Sequence, residues 1–218
     1  MNTLSLADFV QHQTDGCVVI DTRTSEIFCD GFVEESLSIP YGENFFTSLQ
    51  ELTEDEQKLL FVADEKELVE ITKAIKNAGV LNVQGSLQGG FETWANAGKK
   101  IDMLINIEAD EFAIDYHYDE FFLIDIRTKE EFETEHVEDS VNMVLNDLPQ
   151  MVVELETADS YYLYANTFAE AVTAASLFKQ TGFERVRVVN STYEELKKAK
   201  LPFYKKKKEK SGSDFSNN

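Results

Sequence analysis

The sequence predicts an α/β protein made of two tandem domains, each with a mainly parallel sheet covered by helices on both faces. Near-continuous apolar runs such as "CVVID", "LLFV", "FFLID" and "YYLY" are typical of parallel strands that are buried on both faces. Segments with helical spacing of apolar residues alternate with these runs. Such alternation indicates right-handed crossovers and a sheet with helices on either side.

An internal repeat supports the division into two domains. The stretch "VVIDTRTSEIFCDGFVEESLSIP" from Val18 matches "FLIDIRTKEEFETEHVEDSVNMV" from Phe122 at a constant offset of 104. A gap-free match of this length indicates a tandem duplication. The matched residues are Asp21, Arg23, Thr24, Glu26, Phe28, Val33, Glu34 and Ser36, opposite Asp125, Arg127, Thr128, Glu130, Phe132, Val137, Glu138 and Ser140.

The repeat also predicts the domain boundaries. Later in each half, "LLFVADEKELVEITKAIKNAGVLNV" pairs with "YYLYANTFAEAVTAASLFKQTGFERV", which sets Ala63 opposite Ala165. The segment "KKIDMLINIEADEF" joins the halves. We therefore predict domain 1 over residues 1–101, domain 2 over 102–204 and a disordered Lys-rich tail over 205–218. Each domain is expected to have its own core.

The first elements of each half follow from the same patterns. "SLAD" at Ser5 to Asp8 has the residues of a helix N-terminus. In both halves a strand, a short helix and a short strand follow, and then a buried strand leads into a longer helix. The loop after that buried strand lies at the carboxyl end of the sheet, where open α/β folds bind their ligands.

The strongly negative net charge of the chain disfavours several classes of partner. The net charge is −21, and residues 1–196 carry 12 basic side chains against 39 acidic ones, a net charge of −27. Such a surface disfavours nucleic acid, anionic lipid and anionic substrates. The start "MNTLSLADFVQHQTDG" has no basic and apolar leader pattern, so we expect a cytoplasmic, acidic protein. Cys17 and Cys29 are too few for a disulfide scaffold and are interpreted as reduced thiols.

The motifs of the first repeat resemble the rhodanese family, which contains sulfurtransferases. The strand end with Asp21 and Arg23 precedes an acidic and aromatic helix, and "GFV" stands where the family has a G-H-I turn. A late L-x-G-G-x-x-x-W pattern closes the repeat at Leu87, Gly89, Gly90 and Trp94. The second repeat resembles the family more weakly: Asp125, Arg127, Phe132, His136 and Val137 fit, but "VVNSTYEEL" lacks the paired glycines and the tryptophan.

The resemblance implies where a nucleophile would stand. In active members the loop after the buried strand begins with a cysteine, whose thiolate accepts a sulfane sulfur and is stabilised by the following helix N-terminus. In this sequence Ala63 and Ala165 occupy that position. The two loops implied to be vestigial active sites comprise Ala63, Asp64, Glu65, Lys66, Glu67 and Leu68, and Ala165, Asn166, Thr167, Phe168, Ala169 and Glu170.

Other residues offer little alternative chemistry. We interpret Asp64, Glu65 and Glu67 as charges that stabilise the N-terminus of a helix. Two pairs that both repeats retain are interpreted as structural ion pairs under the loops: Asp21 with Arg23, and Asp125 with Arg127. His12, His117 and His136 lack the spacing of a metal site, so neither a metal nor a cofactor is expected.

Two functions stay open at this point. The first is a pseudoenzyme: a catalytically inactive tandem rhodanese-homology protein that acts as a binding or regulatory module, for which the resemblance implies a role in sulfur metabolism. The paired arrangement and "FVAD" are similar to the tandem region of metallo-β-lactamase/persulfide dioxygenase-like fusions, which implies such a dioxygenase as a protein partner. The alternative is a sulfurtransferase or sulfur carrier that uses Cys29 or Cys17.

Overall fold

A computed structural model describes residues 1–206, and residues 207–218 lie outside the described part. The first half contains, in chain order, β1 (Thr3–Leu4), α1 (Leu6–Thr14), β2 (Val18–Asp21), α2 (Ser25–Asp30), β3 (Phe32–Val33), β4 (Leu37–Ser38), α3 (Phe45–Leu52), β5 (Leu59–Val62), α4 (Leu68–Asn77), β6 (Val83–Leu87), α5 (Gly90–Asn96) and β7 (Ile101–Asp102).

The second half repeats this order with small differences. It contains β8 (Ile105–Glu108), α6 (Ala109–Tyr118), β9 (Phe122–Asp125), α7 (Lys129–Thr134), β10 (Glu135–Val137), β11 (Ser140–Asn142), α8 (Leu148–Met151), a short 3-10 helix (Val152–Glu154), β12 (Tyr161–Tyr164), α9 (Phe168–Gln180), β13 (Val186–Asn190), α10 (Tyr193–Leu196) and β14 (Phe203–Lys205).

Each half has one five-stranded sheet in which every pair of neighbours is parallel. The strand order is β1-β6-β5-β2-β4 in the first half and β8-β13-β12-β9-β11 in the second, so equivalent strands hold equivalent places. Helices flank both faces of each sheet. The predicted α/β fold class is therefore confirmed, and so is the helix start at Ser5, whose side chain accepts a hydrogen bond from the Asp8 N–H at 3.2 Å.

The duplication extends to an unusual backbone conformation. Glu35 and Asp139, at equivalent positions in the two repeats, have φ angles of 65° and 64°. Positive φ is uncommon for residues other than glycine. Both residues lie in the turn that leads into the edge strand of their sheet, so the two halves share the shape of this turn as well as its sequence.

Side-chain alternation divides each sheet into an inner and an outer face. In β5, Leu60 and Val62 pack on the outer face in a cluster with Phe9 of α1 and Trp94 of α5. Leu59 and Phe61 point the other way, into a cluster that also contains residues of the second half. In β12, Tyr161 and Leu163 belong to this same cluster, whereas Tyr162 and Tyr164 pack on the outer face with Phe112 of α6. The inner faces of the two sheets thus contribute to one core.

The expectation of two separate cores is therefore wrong, and α9 provides the physical reason. Every residue of α9 from Ala171 to Phe178 is buried, which a helix on the surface of a single domain would not show. The helix packs on β13 and β12 of its own sheet and also contacts β4 and α2 of the first half. A buried hydrogen bond of 3.0 Å from the Ser38 N–H to the Ser176 hydroxyl ties α9 to the edge strand β4.

The structure also bears on two predicted boundaries. Strand β7 pairs with β3, with Asp102 opposite Phe32, so Asp102 lies in a strand of the first half although domain 2 was predicted to begin there. Lys205 lies in β14, which pairs with β10, so the predicted tail is wrong at its first residue because that residue has ladder partners. Residues 207–218 of the predicted tail lie outside the described residues.

Between residues 1 and 206, no helix is both long enough and apolar enough to span a bilayer.

Candidate functional site

The two loops singled out in the sequence lie at the carboxyl ends of the central strands. Ala63 follows β5 and Ala165 follows β12, and both are buried, with 7% and 3% of their surface exposed. This edge of an open parallel sheet is where ligands bind. A methyl group at either position offers neither a nucleophile nor a proton.

The second loop is fixed by hydrogen bonds to its neighbours. Thr167 caps α9: its hydroxyl accepts from the Glu170 N–H at 3.3 Å, and the Glu170 carboxylate accepts from the Thr167 N–H at 3.1 Å. The Asn166 side-chain amide donates to the carboxylate of Glu131 of α7 at 2.9 Å, and the backbone carbonyl of Asn166 accepts from the Tyr193 N–H of α10 at 3.2 Å. Three helices therefore hold this loop in one position.

The first loop has a different support. The N–H groups of Glu67 and Leu68 donate to the Asp64 carbonyl at 3.0 and 3.1 Å, which closes the turn into α4. The side chains of residues 64–67 are exposed. Gly90, with a φ of +57°, approaches the loop so closely that a Cβ there would lie 2.9 Å from the Ala63 carbonyl oxygen. Glycine is therefore required at position 90, because a side chain there would collide with this loop.

Beneath each loop lies a buried pair of an aspartate and an arginine. Arg23 donates to both carboxylate oxygens of Asp21 at 2.6–3.1 Å, and Arg127 contacts Asp125 in the same way at 2.5–3.2 Å. Both aspartates are fully buried, and each arginine also donates to a carbonyl oxygen eight residues further along at 2.8 Å. This geometry is that of a structural pair that fixes the short helix after the strand.

Arg127, the arginine of the pair in the second half, contacts both the carboxylate of Asp125 and the ring of Tyr193. Its guanidinium carbon lies 3.4 Å from the ring centroid of Tyr193. Burial would lower the pKa of Arg127, but its hydrogen bonds with the carboxylate of Asp125 outweigh burial and raise it. Arg127 is therefore charged, and its guanidinium forms an ion pair with the carboxylate of Asp125.

A cavity of 530 Å³ lies between the two halves, next to the second loop. We call it the interdomain cleft. The first half contributes the segment from β4 into α3, and the second half contributes the ends of β9 and β11, α7 and the start of α9. Its lining comprises Ile39–Phe45, Thr47, Ser48, Glu51, Ile126–Thr128, Glu131, Val144–Asn146, Asn166, Thr167, Ala169, Glu170 and Thr173.

The cleft is acidic. Its lining includes the carboxylates of Glu43, Glu51, Glu131 and Glu170, and its basic side chain among the described residues is the paired Arg127. Partial burial would raise the pKa of Glu131, but hydrogen bonds from Thr128 and Asn166 outweigh it and hold that pKa below its usual value. The cleft thus has negative charge and disfavours anionic ligands.

Both cysteines are buried and lie away from the cleft. Cys17 and Cys29 have 5% and 2% of their surface exposed, and neither lines the cleft. Burial raises the pKa of both thiols. For Cys29, burial and the neighbouring charge of Asp30 raise the pKa to about 12. Thiolate, the reactive form, is therefore scarce at neutral pH.

His136 lies in a stack of aromatic rings. His136 stacks on Phe132 with ring centroids 3.8 Å apart, and it also stacks on Tyr204 of β14. Across residues 1–206, histidine, cysteine, aspartate and glutamate side chains nowhere gather in groups of three or more that could hold a metal ion.

Of the two predicted loops, the second borders the interdomain cleft and the first does not. Asn166, Thr167, Ala169 and Glu170 line the cleft, whereas residues 63–68 of the first loop do not. Sequence reasoning missed the lining from β4 into α3, although the turn-forming residues of "IPYGEN" mark a loop after a strand. It also missed the capping pattern T-x-x-E in "TKEE" and "TFAE", which places Glu131 and Glu170 at two helix starts.

Comparison with known proteins finds one family model, the rhodanese-like domain, over residues 108–199. No curated protein matches the chain. A rhodanese-like domain therefore occupies the second half, which is the repeat that lacks the paired glycines and the tryptophan.

Solved structures of rhodanese-like proteins are similar in fold. The crystal structure of a thiosulfate sulfurtransferase from Pseudomonas aeruginosa is 14% identical, with a TM-score of 0.42, and the match covers 92% of this chain and 43% of that one. The solution structure of a rhodanese-like domain from Anabaena sp. is 21% identical over 53% of this chain and 92% of that one, with a TM-score of 0.46. A rhodanese-like domain protein from Staphylococcus aureus is 14% identical over 48% and 100% of the two chains, with a TM-score of 0.43.

Proposed function

We propose that this chain, whose residues 108–199 form a rhodanese-like domain, is a binding or regulatory module of sulfur metabolism that does not itself transfer sulfur. The proposal assigns binding to the interdomain cleft and its second loop. It treats both loops as active-site loops that have lost their nucleophile.

One observation carries the proposal: alanine follows both central strands. Persulfide formation requires a thiolate at the start of the loop, and the methyl groups of Ala63 and Ala165 cannot accept sulfur. The carboxylates of the cleft add a second obstacle, because an anionic sulfur donor would be repelled on approach.

The alternative is a sulfurtransferase or sulfur carrier that uses Cys29 or Cys17. The burial of both thiols and the raised pKa of Cys29 weigh against this alternative. A sulfur carrier would need to expose one of these thiols. This would require a movement of α2, where Cys29 lies, or of the start of β2, next to Cys17.

The test is thiosulfate:cyanide turnover by the purified full-length chain, combined with intact mass after thiosulfate treatment. We expect no thiocyanate above the uncatalysed rate and no mass increase of one sulfur. Ala165→Cys is the matched positive variant because it restores a thiol in the loop that lines the cleft. Turnover by the unmodified chain that disappears on Cys29→Ser or Cys17→Ser would establish the alternative.

The proposed partner is a protein, and the first candidate is a metallo-β-lactamase-type persulfide dioxygenase. This candidate rests on the similarity of the tandem arrangement to the paired region of such fusions. Analytical ultracentrifugation of the purified pair tests it directly. Two unchanged sedimentation boundaries at micromolar concentrations would remove this enzyme from consideration without affecting the proposal of inactivity.

A further inference from the structure

The interdomain cleft has apolar walls and an exposed, polar mouth. Ile39, Phe45 and Ile126 are buried apolar residues of its lining, whereas Glu43 and Glu51 are exposed. Its volume of 530 Å³ lies within the range of about 300–1,000 Å³ that is typical of ligand sites. The cleft therefore has room for an occupant with apolar as well as polar parts.

Helix α3 lines the cleft with one polar face. The residues of this face recur at the helical spacing i, i+3, i+4 and i+7: Asn44, Thr47, Ser48 and Glu51. Asn44 stands at the N-cap, but its side chain makes no capping hydrogen bond. From the first to the last of these residues the helix rises about 10 Å, which matches three residues of extended chain. A row of amide, hydroxyl and carboxylate groups of this length can pair with the backbone of a bound peptide.

Two fixed carboxylates stand on the side of the cleft formed by the second half. Glu131 accepts from the N–H and hydroxyl of Thr128 at 3.0 and 2.6 Å and from the Asn166 amide at 2.9 Å. Glu170 accepts from the Thr167 N–H at 3.1 Å. Because their donors Asn166 and Thr167 are consecutive residues, the two carboxylates lie close together. A carboxylate has about four acceptor positions, so both retain capacity for further donors.

The charge of the lining favours a cation with several donors. Within the described part of the chain, the one basic side chain of the lining is Arg127, which is already bound to Asp125. A guanidinium has five donors in one plane and can bond to two neighbouring carboxylates, whereas a lysine ammonium is a compact point charge. The apolar stem of an arginine side chain also packs on apolar walls. Arginine therefore matches both the carboxylates and the walls.

We propose that the interdomain cleft binds an extended segment of a partner protein that carries an arginine. The guanidinium contacts Glu131 and Glu170, and the backbone of the segment lies along the polar face of α3. In this it rests on the proposed function, which assigns binding to this cleft, and it adds the chemistry by which the partner is recognised.

The experiment begins with an unbiased choice of peptides. A phage library of random heptapeptides is selected on the immobilised full-length protein and, in parallel, on a cleft variant with Glu131→Gln and Glu170→Gln. Glutamine can keep the capping bond at each helix start but removes the charge. We expect arginine to be enriched at one fixed position among peptides selected on the wild type, and not among those selected on the variant.

The most frequent peptide is then synthesised with a fluorescein label, and its dissociation constant is measured by fluorescence anisotropy. We expect the affinity to fall at least about fivefold in the cleft variant, and as much when glutamine replaces the arginine of the peptide. The two losses should not add when both changes are made, because each removes the same contact.

Two further variants separate the cleft from net charge and from folding defects. Glu195→Gln with Glu65→Gln removes two charges outside the cleft, one of them from the capping box of α10, and should leave the affinity within about twofold of the wild type. Glu43→Gln with Glu51→Gln changes exposed residues of the mouth. It should leave the fold intact and weaken the peptide at least about twofold.

Each contrary result overturns the inference. No enriched peptide, or enriched peptides without arginine, would show that the cleft does not select this side chain. An equal loss in the control variant would reduce the effect to net charge, and additive losses would place the arginine elsewhere. The thiosulfate:cyanide assay stays independent: sulfur transfer by a chain that binds the peptide would refute only the proposed inactivity, and an inactive chain without peptide binding would refute only the arginine site.

Discussion

Replacing Ser176 by alanine should destabilise both halves of the protein together. The Ser176 hydroxyl accepts the hydrogen bond of the Ser38 N–H at 3.0 Å and donates to the Thr173 carbonyl at 2.7 Å. Ser38 and Ser176 are both fully buried. Alanine fits the space, so the change removes the acceptor and leaves the N–H of an edge strand buried without a partner.

The expected magnitude follows from that unpaired donor. A buried polar group that loses its partner costs about 1–3 kcal/mol of unfolding free energy. With a urea m-value of about 2 kcal/mol per molar, the unfolding midpoint should fall by roughly 0.5–1.5 M. The removal of one hydroxyl volume adds little to this cost.

The position of Trp94 makes the assay informative. It is the single tryptophan of the chain and packs on the outer face of the first sheet, with Phe9 of α1. Its fluorescence therefore reports on the first half, whereas Ser176 lies in the second. A shift of the Trp94 transition that coincides with the loss of far-ultraviolet circular dichroism would show that the halves unfold as one unit.

A neighbouring serine supplies the control. Ser36 is fully buried too, but its hydroxyl has no hydrogen-bond partner within residues 1–206. Ser36→Ala should be neutral or slightly stabilising, because it removes an unsatisfied group. An unchanged Trp94 transition in Ser176→Ala, or an equal loss in Ser36→Ala, would refute the reasoning.

Three more predictions concern buried groups and pH. Cys17 and Cys29 should resist iodoacetamide in the native protein at about pH 8 and react within minutes after denaturation, since both are buried and the pKa of Cys29 is about 12. Asp125→Asn should cost about 3–5 kcal/mol in urea unfolding, because the guanidinium of Arg127 is left buried without its carboxylate. Because the pKa of Glu131 is lowered by folding, its contribution to stability is present above its ordinary pKa and is lost as pH falls through the folded value. Glu131→Gln should therefore lower the unfolding midpoint at about pH 7 and change it less at about pH 3.

Each of these predictions has a decisive contrary result. Fast native alkylation of either cysteine would mean that its burial is transient. Replacing Asp125 and Arg127 together by apolar residues should cost less than Asp125→Asn, and the reverse order would show that packing rather than charge dominates. An effect of Glu131→Gln that is equal at both pH values would show that the loss comes from contacts and not from ionisation.

Much of the fold could be predicted because it is local in sequence. The apolar run of each central strand and the repeated pair of aspartate and arginine are readable without tertiary contacts. The same holds for the loops, since Ala63 and Ala165 follow directly on strands that the pattern identifies. These features depend on neighbouring residues and on a repeat that shows them twice.

The shared core was missed although α9 carries a signal for it. Apolar residues surround this helix on nearly all sides: Ala171, Val172, Ala174, Ala175, Leu177 and Phe178. A helix that is apolar all round is buried, and a single sheet can cover only one side of it. The pattern therefore required a second surface, but the sequence does not say that this surface is β4.

The interdomain cleft could not be predicted for a related reason. It combines the segment after β4 with loops that lie about a hundred residues later, such as Asn166 and Glu170. No periodicity links segments so far apart. Their proximity follows from the way α9 packs between the halves, and that packing depends on the complementary shape of two surfaces.

The hydrogen bond between Ser38 and Ser176 has a consequence for biosynthesis, since it joins residues that are 138 positions apart. Ribosomes add about 5–20 residues per second, so roughly 7–28 s pass between the synthesis of β4 and that of its partner on α9. Throughout this interval the nascent first half exposes the apolar inner face of its sheet and the unpaired edge of β4. The chain is therefore most vulnerable to misassembly during its synthesis, before α9 is available to cover this face and this edge. Chaperones that bind the nascent first half would protect it in this interval.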